Sequence, residues 1–200
     1  MVLNSILAGT KKLISAIADG TDDLSIDGCD KNRAAAGCLQ ISIEHHASIE
    51  LLIENLHHRG SAAALVRPQL EAFLRGSWLH RCATENEATA FLNDKDPPGP
   101  SDLITELEQH EFFKDGALTI LKQKLWDGLC SYTHAGGLHV TRRISATEIV
   151  ANYSDEEMIE MLEVCNLVAL IAAYEITEIA QSTSSSNAIY EAYNEIPKRP

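Results

Sequence analysis

The chain has no surplus of positive charge, no cysteine pairing motif and no hydrophobic run long enough to cross a bilayer. Each absence removes a class of function. Twenty-nine acidic residues against 16 basic ones leave a formal net charge of −13. Coating a nucleic acid or an anionic membrane nonspecifically needs the opposite balance, because phosphates are neutralised by Lys and Arg. The longest apolar stretch, Val164 to Tyr174, contains Asn166 and runs into Glu175 and Glu178. It reads as a buried helix, with no membrane partner expected. Lys11 and Lys12 interrupt the first twenty residues, which excludes a signal peptide there.

The five cysteines (Cys29, Cys38, Cys82, Cys130 and Cys165) are odd in number and form no C-x-x-C. They suit neither a zinc site nor a disulfide framework. Four lie in apolar helical patterns, as reduced thiols of a cytoplasmic protein would. Glu54 and His57 form one E-x-x-H, the unit of di-iron bundles, but no second unit exists, so neither a metal nor a cofactor is expected. His45-His46 and His57-His58 are adjacent pairs in which at most one member can face a core, and they read as helix-surface residues. There is no Walker or dinucleotide fingerprint, no G-x-S-x-G and no internal repeat. What remains is 45% hydrophobic and 22% charged, a folded domain with a sizeable core.

Apolar spacing is helical almost throughout. A first helix ends at Asp19-Gly20, and residues 20 to 33 read as a polar loop. A second runs from about Ala34 to His58. A third starts at Ser61 and continues to about Cys82, with Pro68 inside it. Thr84-x-x-Glu87 is a capping box for a short segment ending near Asn93. DKDPPGPS, residues 94 to 101, is a break, with Ser101 able to cap the next helix. Another helix spans Gly116 to His134. Leu138 to Ile144 shows weak strand-like alternation. Ser154-x-x-Glu157 is a second capping box, opening a long helix to about Ala180. The expected fold is an all-α multi-helix bundle with a Gly/basic loop between its last two long helices. It forms one domain over residues 1–181, with a tail or docking helix over 182–200.

Charge is unevenly spread. Lys114, Lys122, Lys124, Arg142 and Arg143 face only Asp115 and Asp127 between positions 114 and 143. From 144 to 197 there are ten acids and no base. The basic stretch is the place suited to an anion, and His139, Arg142 and Arg143 are the residues to bind it.

On a helical wheel of the third helix, at about 100° per residue, Val66, Leu70 and Phe73 share one face. Arg67 and Glu71, four apart, land at the margin of that apolar arc beside Leu74 and Trp78. Arg75 points away from it. The pair is either an i,i+4 ion pair on the helix shoulder or a partly dried anion site presenting the guanidinium fork. In LCSYTHAGGLHVTRR, residues 129 to 143, Tyr132 shares a face with Leu118, Leu125 and Leu129. His134 closes the helix ahead of Gly136-Gly137. It serves either the helix dipole or a ligand.

The R-x-x-x-E of Arg67 and Glu71, with a later helix ending in S-Y-x-H (Ser131, Tyr132, His134), resembles the HEPN-like uncharacterised bacterial helical proteins over about residues 35 to 180. The resemblance implies an all-α, homodimeric bundle. It also implies either a metal-independent ribonuclease of toxin–antitoxin or phage-defence type, or an inactive module binding a nucleotide or a partner protein such as a cognate antitoxin. Active members share an R-x(4–6)-H motif, matched literally here by Arg75 and His80, with Gly76 where a polar residue is usual. On one helix those two side chains diverge by about 140°. Arg67 with His134, brought together from two helices, is the other candidate pair. A His would act as general base on a ribose 2′-OH and an Arg would stabilise the phosphorane-like transition state.

Overall fold

The computed structural model describes residues 2–26, 28–95 and 97–198, with side chains at all of these except 183 and 184. Positions 27 and 96, inside two expected loops, and 199–200, at the end of the expected tail, lie outside the described residues. Nine helices follow one another among them: α1 Val2–Thr21, α2 Asp30–Ile53, α3 Arg59–Arg81, α4 Glu85–Leu92, α5 Pro100–Leu107, α6 Ala117–Thr133, α7 Gly137–Thr141, α8 Asp155–Ile179 and α9 Thr183–Asn194. The fold is an all-α bundle.

Helix boundaries follow from local chemistry. The Thr21 hydroxyl donates to the Ile17 carbonyl and carries α1 one residue past Gly20. The second helix begins at Asp30, not Ala34, because the Cys29 sulfur caps it by accepting the Asn32 N–H. Its end breaks at Ile53; a 3₁₀ turn over Leu56–His58 leads directly into α3 at Arg59, ahead of Ser61. Both capping boxes form, Thr84 with Glu87 and Ser154 with Glu157. Helix α5 starts with Pro100 as its first residue, so Gly99 takes the cap position expected of Ser101.

The centre of the bundle is an antiparallel pair, α2 and α3, with α8 laid against both. Gly76 makes the pair possible: a Cβ there would meet the Leu39 side chain at 2.7 Å. The residue after Arg75 is therefore small because α2 passes over it. Leu39, Phe73, Leu79, Met158 and Leu162 are all under 2% exposed in the core between these helices. Each fully buried side chain of this size contributes roughly 1.5–3 kcal/mol. Gln69 spans the three helices: its carbonyl accepts the Ser42 hydroxyl at 3.0 Å and its side-chain amide donates to the Cys165 carbonyl at 3.0 Å.

His46 lies in this core, fully buried, in contrast to the surface position expected for its pair. Its Nε2 donates to Asn166 Oδ1 at 2.7 Å, and the Asn166 amide donates to Thr10 Oγ1 at 3.0 Å, joining α2, α8 and α1. Burial pulls its pKa down to about 4.

Residues 134–154 are more ordered than a loop. They contain α7 and an isolated antiparallel bridge between Ile144 and Ile149, so the strand-like alternation at 138–144 resolves as a helix followed by one bridge residue. The segment is tied down by Arg59, whose Nη1 donates to the Tyr153 carbonyl at 3.0 Å and whose Nη2 pairs with Asp155 at 2.8 Å. Residues 183–194 form α9, which packs on α1 and α8. No described helix is long and apolar enough to cross a membrane.

Candidate active site

Two helices distant in sequence meet where α3 is irregular. Pro68 has no N–H to donate four residues back, so the Ala64 carbonyl is released from the helix ladder. The Thr133 hydroxyl, in the last turn of α6, lies between this carbonyl at 3.3 Å and that of Leu129 at 2.9 Å. The next residue, His134, is thereby placed beside Arg67. A tight C-terminal turn holds it there: the Gly136 N–H donates to the Ser131 carbonyl at 2.7 Å across Ala135, which adopts φ 52°. The Ser131 hydroxyl then accepts the Leu138 N–H at 3.1 Å, and a Cβ on Gly136 would sit 2.6 Å from that oxygen.

Arg67 is held on three sides. Its Nε donates to Glu71 Oε1 at 2.8 Å, its Nη1 donates to His134 Nε2 at 2.7 Å, and its guanidinium lies 5.2 Å from the Trp126 ring centroid. A guanidinium has no acceptor, so the contact requires His134 to offer the Nε2 lone pair as a neutral imidazole with its proton on Nδ1. Glu71 is shared: its Oε2 accepts from Arg75 Nη2 at 3.3 Å. The Arg67 and Glu71 side chains are 20% exposed, so the pair is desolvated in part but open to a ligand.

The four residues line a cleft of about 680 Å³, walled by Cys38, Ile41 and His45 of α2, by Phe91 and Leu92 of α4, and by Lys95 and Pro97 beyond it. In a chain of net charge −13, the described lining residues include Arg67, Arg75 and Lys95 with two imidazoles, against Glu71 and Asp94. Burial pushes the Cys38 thiol up to about 11, so it is protonated at neutral pH and no thiolate nucleophile faces His45 or His134. Among the described residues no three His, Cys, Asp or Glu side chains group as metal ligands.

The structure therefore joins Arg67, Glu71, Arg75 and His134 and leaves the other two catalytic candidates elsewhere. His80 points away from the cleft, with Nδ1 at 3.0 Å from Glu175 Oε2 of α8, so the literal Arg75–His80 pair does not form. Helix geometry forces this, since residues five apart face different sides. Tyr132 turns to α7: its ring packs on His139 at 5.5 Å, its carbonyl accepts from His139 Nδ1 at 2.7 Å, and its hydroxyl faces Arg142. The three anion-binding candidates are likewise occupied internally. Arg142 pairs with Glu157, and Arg143 lies over the Tyr153 ring at 5.9 Å and donates to the His57 carbonyl at 3.4 Å. His139 Nε2 and Arg143 Nη2 crowd Gly60, each 3.0 Å from where a Cβ would stand. This basic segment fastens α7 to the start of α3.

His45, Lys95 and Trp126 belong to the site or its wall and carry no signal in the sequence that marks them. Thr133 and Pro68 do carry one, a hydroxyl in a last turn and a proline inside a helix, but only the fold reveals that they meet.

A family model matches residues 39–199, and its description is a family of unknown function (DUF6988). The match covers most of the chain, from within α2 to beyond α9, and the chain belongs to this family. No curated protein and no solved structure matches it.

Proposed function

We propose that this member of a family of unknown function is a metal-independent ribonuclease working at the Arg67–His134 cleft. The carrying observation is the 2.7 Å contact between Arg67 Nη1 and His134 Nε2 in a cleft whose described lining includes Arg67, Arg75 and Lys95. A phosphodiester entering the cleft competes for Arg67, because an anion is a better partner for a guanidinium than a neutral imidazole. As Arg67 turns to the phosphate, the His134 lone pair is released beside it. That nitrogen then takes the proton of the ribose 2′-OH, which attacks the phosphorus, while Arg67 stabilises the charge gathering on the phosphoryl oxygens. Glu71 positions Arg67, and Arg75 adds charge behind it. His45 is the second imidazole on the lining and the group to protonate the departing 5′-oxygen.

The HEPN-like resemblance supports the same chemistry. It adds the setting: a homodimeric, cytoplasmic protein of toxin or phage-defence type with a cognate antitoxin. Purified protein should cleave RNA in EDTA, and His134→Ala should abolish cleavage without changing the thermal melt. Intact RNAs at high protein concentration would sink the proposal.

The internal pairing of Glu71 with both arginines favours a second reading, a non-catalytic module that holds a nucleotide or a partner protein's carboxylate or phosphate in the cleft. Under it, Arg67→Gln would abolish nucleotide binding seen by calorimetry while wild-type protein leaves RNA uncut.

A further inference from the structure

The cleft beside His134 has two unlike walls. Helices α3 and α4 each pack against α2, which supplies the floor between them. The α3 wall is ionic. Arg67 and Arg75 lie along it, and both donate to Glu71, so that carboxylate is already neutralised. The α4 wall is apolar along its helix, where Phe91 and Leu92 line the cleft, and Ile41 continues this surface onto the floor. Leu92 and Ile41 are each 49% exposed, so the surface is open to a ligand. Past the end of α4 the same wall becomes polar again, at Asp94 and Lys95.

Phosphate chemistry on the α3 wall does not account for Asp94. It stands in the turn that ends α4, where the Lys95 N–H donates to the Ala90 carbonyl and the Asp94 N–H to the Phe91 carbonyl, both at 3.1 Å. Asp94 itself takes φ 56°. Glycine makes such a turn at least cost, so the turn has no need of a carboxylate. Among the described residues no cation or donor engages the Asp94 side chain, in contrast to Glu71. An unneutralised carboxylate repels a phosphate, so its partner in a cleft that takes RNA is a different part of the nucleotide. The apolar surface next to it suits the flat face of a base. A carboxylate only accepts, and it does so through two oxygens. On the Watson–Crick edge, guanine alone among the four RNA bases presents two adjacent donors, N1–H and the 2-amino group. Lys95, next in the chain, carries a donor for the O6 beside them.

We propose that the cleft selects an unpaired guanine nucleotide, with its phosphate at Arg67 and Arg75, its base against Phe91 and Leu92, and Asp94 accepting from N1–H and the 2-amino group. The proposal rests on the reading of the cleft as a site for an RNA phosphodiester, and names the nucleotide that enters it. A base in a duplex has its Watson–Crick edge engaged, so the same contact confines the site to single strands. The cleft volume of about 680 Å³ falls within the range of roughly 300–1,000 Å³ usual for small-molecule and cofactor sites.

The test is calorimetric titration of the full chain with guanosine, inosine and adenosine 3′-monophosphates. The guanosine compound should bind about tenfold or more tighter than the adenosine compound. Inosine keeps N1–H and O6 but lacks the 2-amino group, so it should fall between them; this comparison needs no variant. Asp94→Asn keeps a side chain that tolerates the left-handed turn and exchanges one acceptor for a donor. It should bring the guanosine and adenosine affinities to within about twofold of each other. Equal binding of the three compounds by the wild-type chain would overturn the proposal, as would a guanosine preference that survives Asp94→Asn. So would absence of binding up to about 1 mM. Cleavage of single-stranded RNAs in EDTA is read alongside. Cutting at every base with equal affinities overturns guanine selection and leaves the ribonuclease standing. Uncut RNA with a guanosine preference that Asp94→Asn abolishes overturns the ribonuclease and leaves the guanine site.

Discussion

Helix α3 carries the same three chemical groups twice. Near its middle, Arg67 contacts Glu71 and His134; at its end, Arg81 and His80 both contact Glu175. The second set is closed around its carboxylate, although the His80 side chain is 19% exposed. Glu175 is fully buried, the Arg81 side chain is 9% exposed, and the Arg81 guanidinium lies 4.2 Å from the Phe112 ring centroid. The first set opens onto a cleft of about 680 Å³. An arginine, a carboxylate and an imidazole are thus a fastening when α8 closes over the carboxylate and a set open to a ligand when nothing does. Residue type does not separate the two cases; enclosure does.

Removing the buried carboxylate should show the largest effect. Glu175→Ala removes the buried carboxylate shared by Arg81 and His80, leaves Arg81 only its part-exposed partner Glu178, and should cost about 3 kcal/mol of stability, measured by urea unfolding. If it costs as little as Glu71→Ala, the two sets are energetically alike and the comparison fails.

The next effect comes from the core histidine. The folded-state pKa of His46 is about 4, below its ordinary 6.5, so the unfolded chain takes up the proton first as pH falls. Stability from this residue is complete above the ordinary value and declines as pH drops from about 6.5 to about 4. Urea midpoints across that window should fall with acid, and His46→Leu should flatten the slope within it.

A smaller change is expected at the junction of α3 and α6. Thr133→Val keeps the shape and deletes the hydroxyl shared by Ala64 and Leu129, costing about 1 kcal/mol. It should also lower RNA cleavage more than its stability loss explains, because His134 is one residue away. The smallest effect on stability belongs to the open set. Glu71→Gln should shift unfolding by less than about 1 kcal/mol, as partly exposed ion pairs do, yet reduce cleavage by leaving Arg67 unaligned.

Much of this architecture is legible in the sequence. The apolar period marks the helices, and Thr84-x-x-Glu87 and Ser154-x-x-Glu157 mark two starts to the residue, since capping boxes are local. Arg67 and Glu71 are legible as a pair for the same reason. The partnership with His134 is named in the sequence only as one of several pairings, because it depends on a hydrogen bond between residues 69 positions apart. His46 misleads because its partner, Asn166, sits 120 residues away. In the basic stretch at 114–143, the end that holds His139, Arg142 and Arg143 shows another limit. Its cations are real, but Glu157, Tyr153 and the start of α3 use them, and no count of charges along a chain shows who is already paired.

Pro68 has a consequence for anyone engineering this protein. A proline inside a helix is an obvious target for stabilisation, and Pro68→Ala would restore a backbone hydrogen bond worth having on its own account. It would also return the Ala64 carbonyl to the helix ladder and withdraw the anchor that α6 uses beside His134. A screen ranking variants by melting temperature would then reward the change that disconnects the cleft.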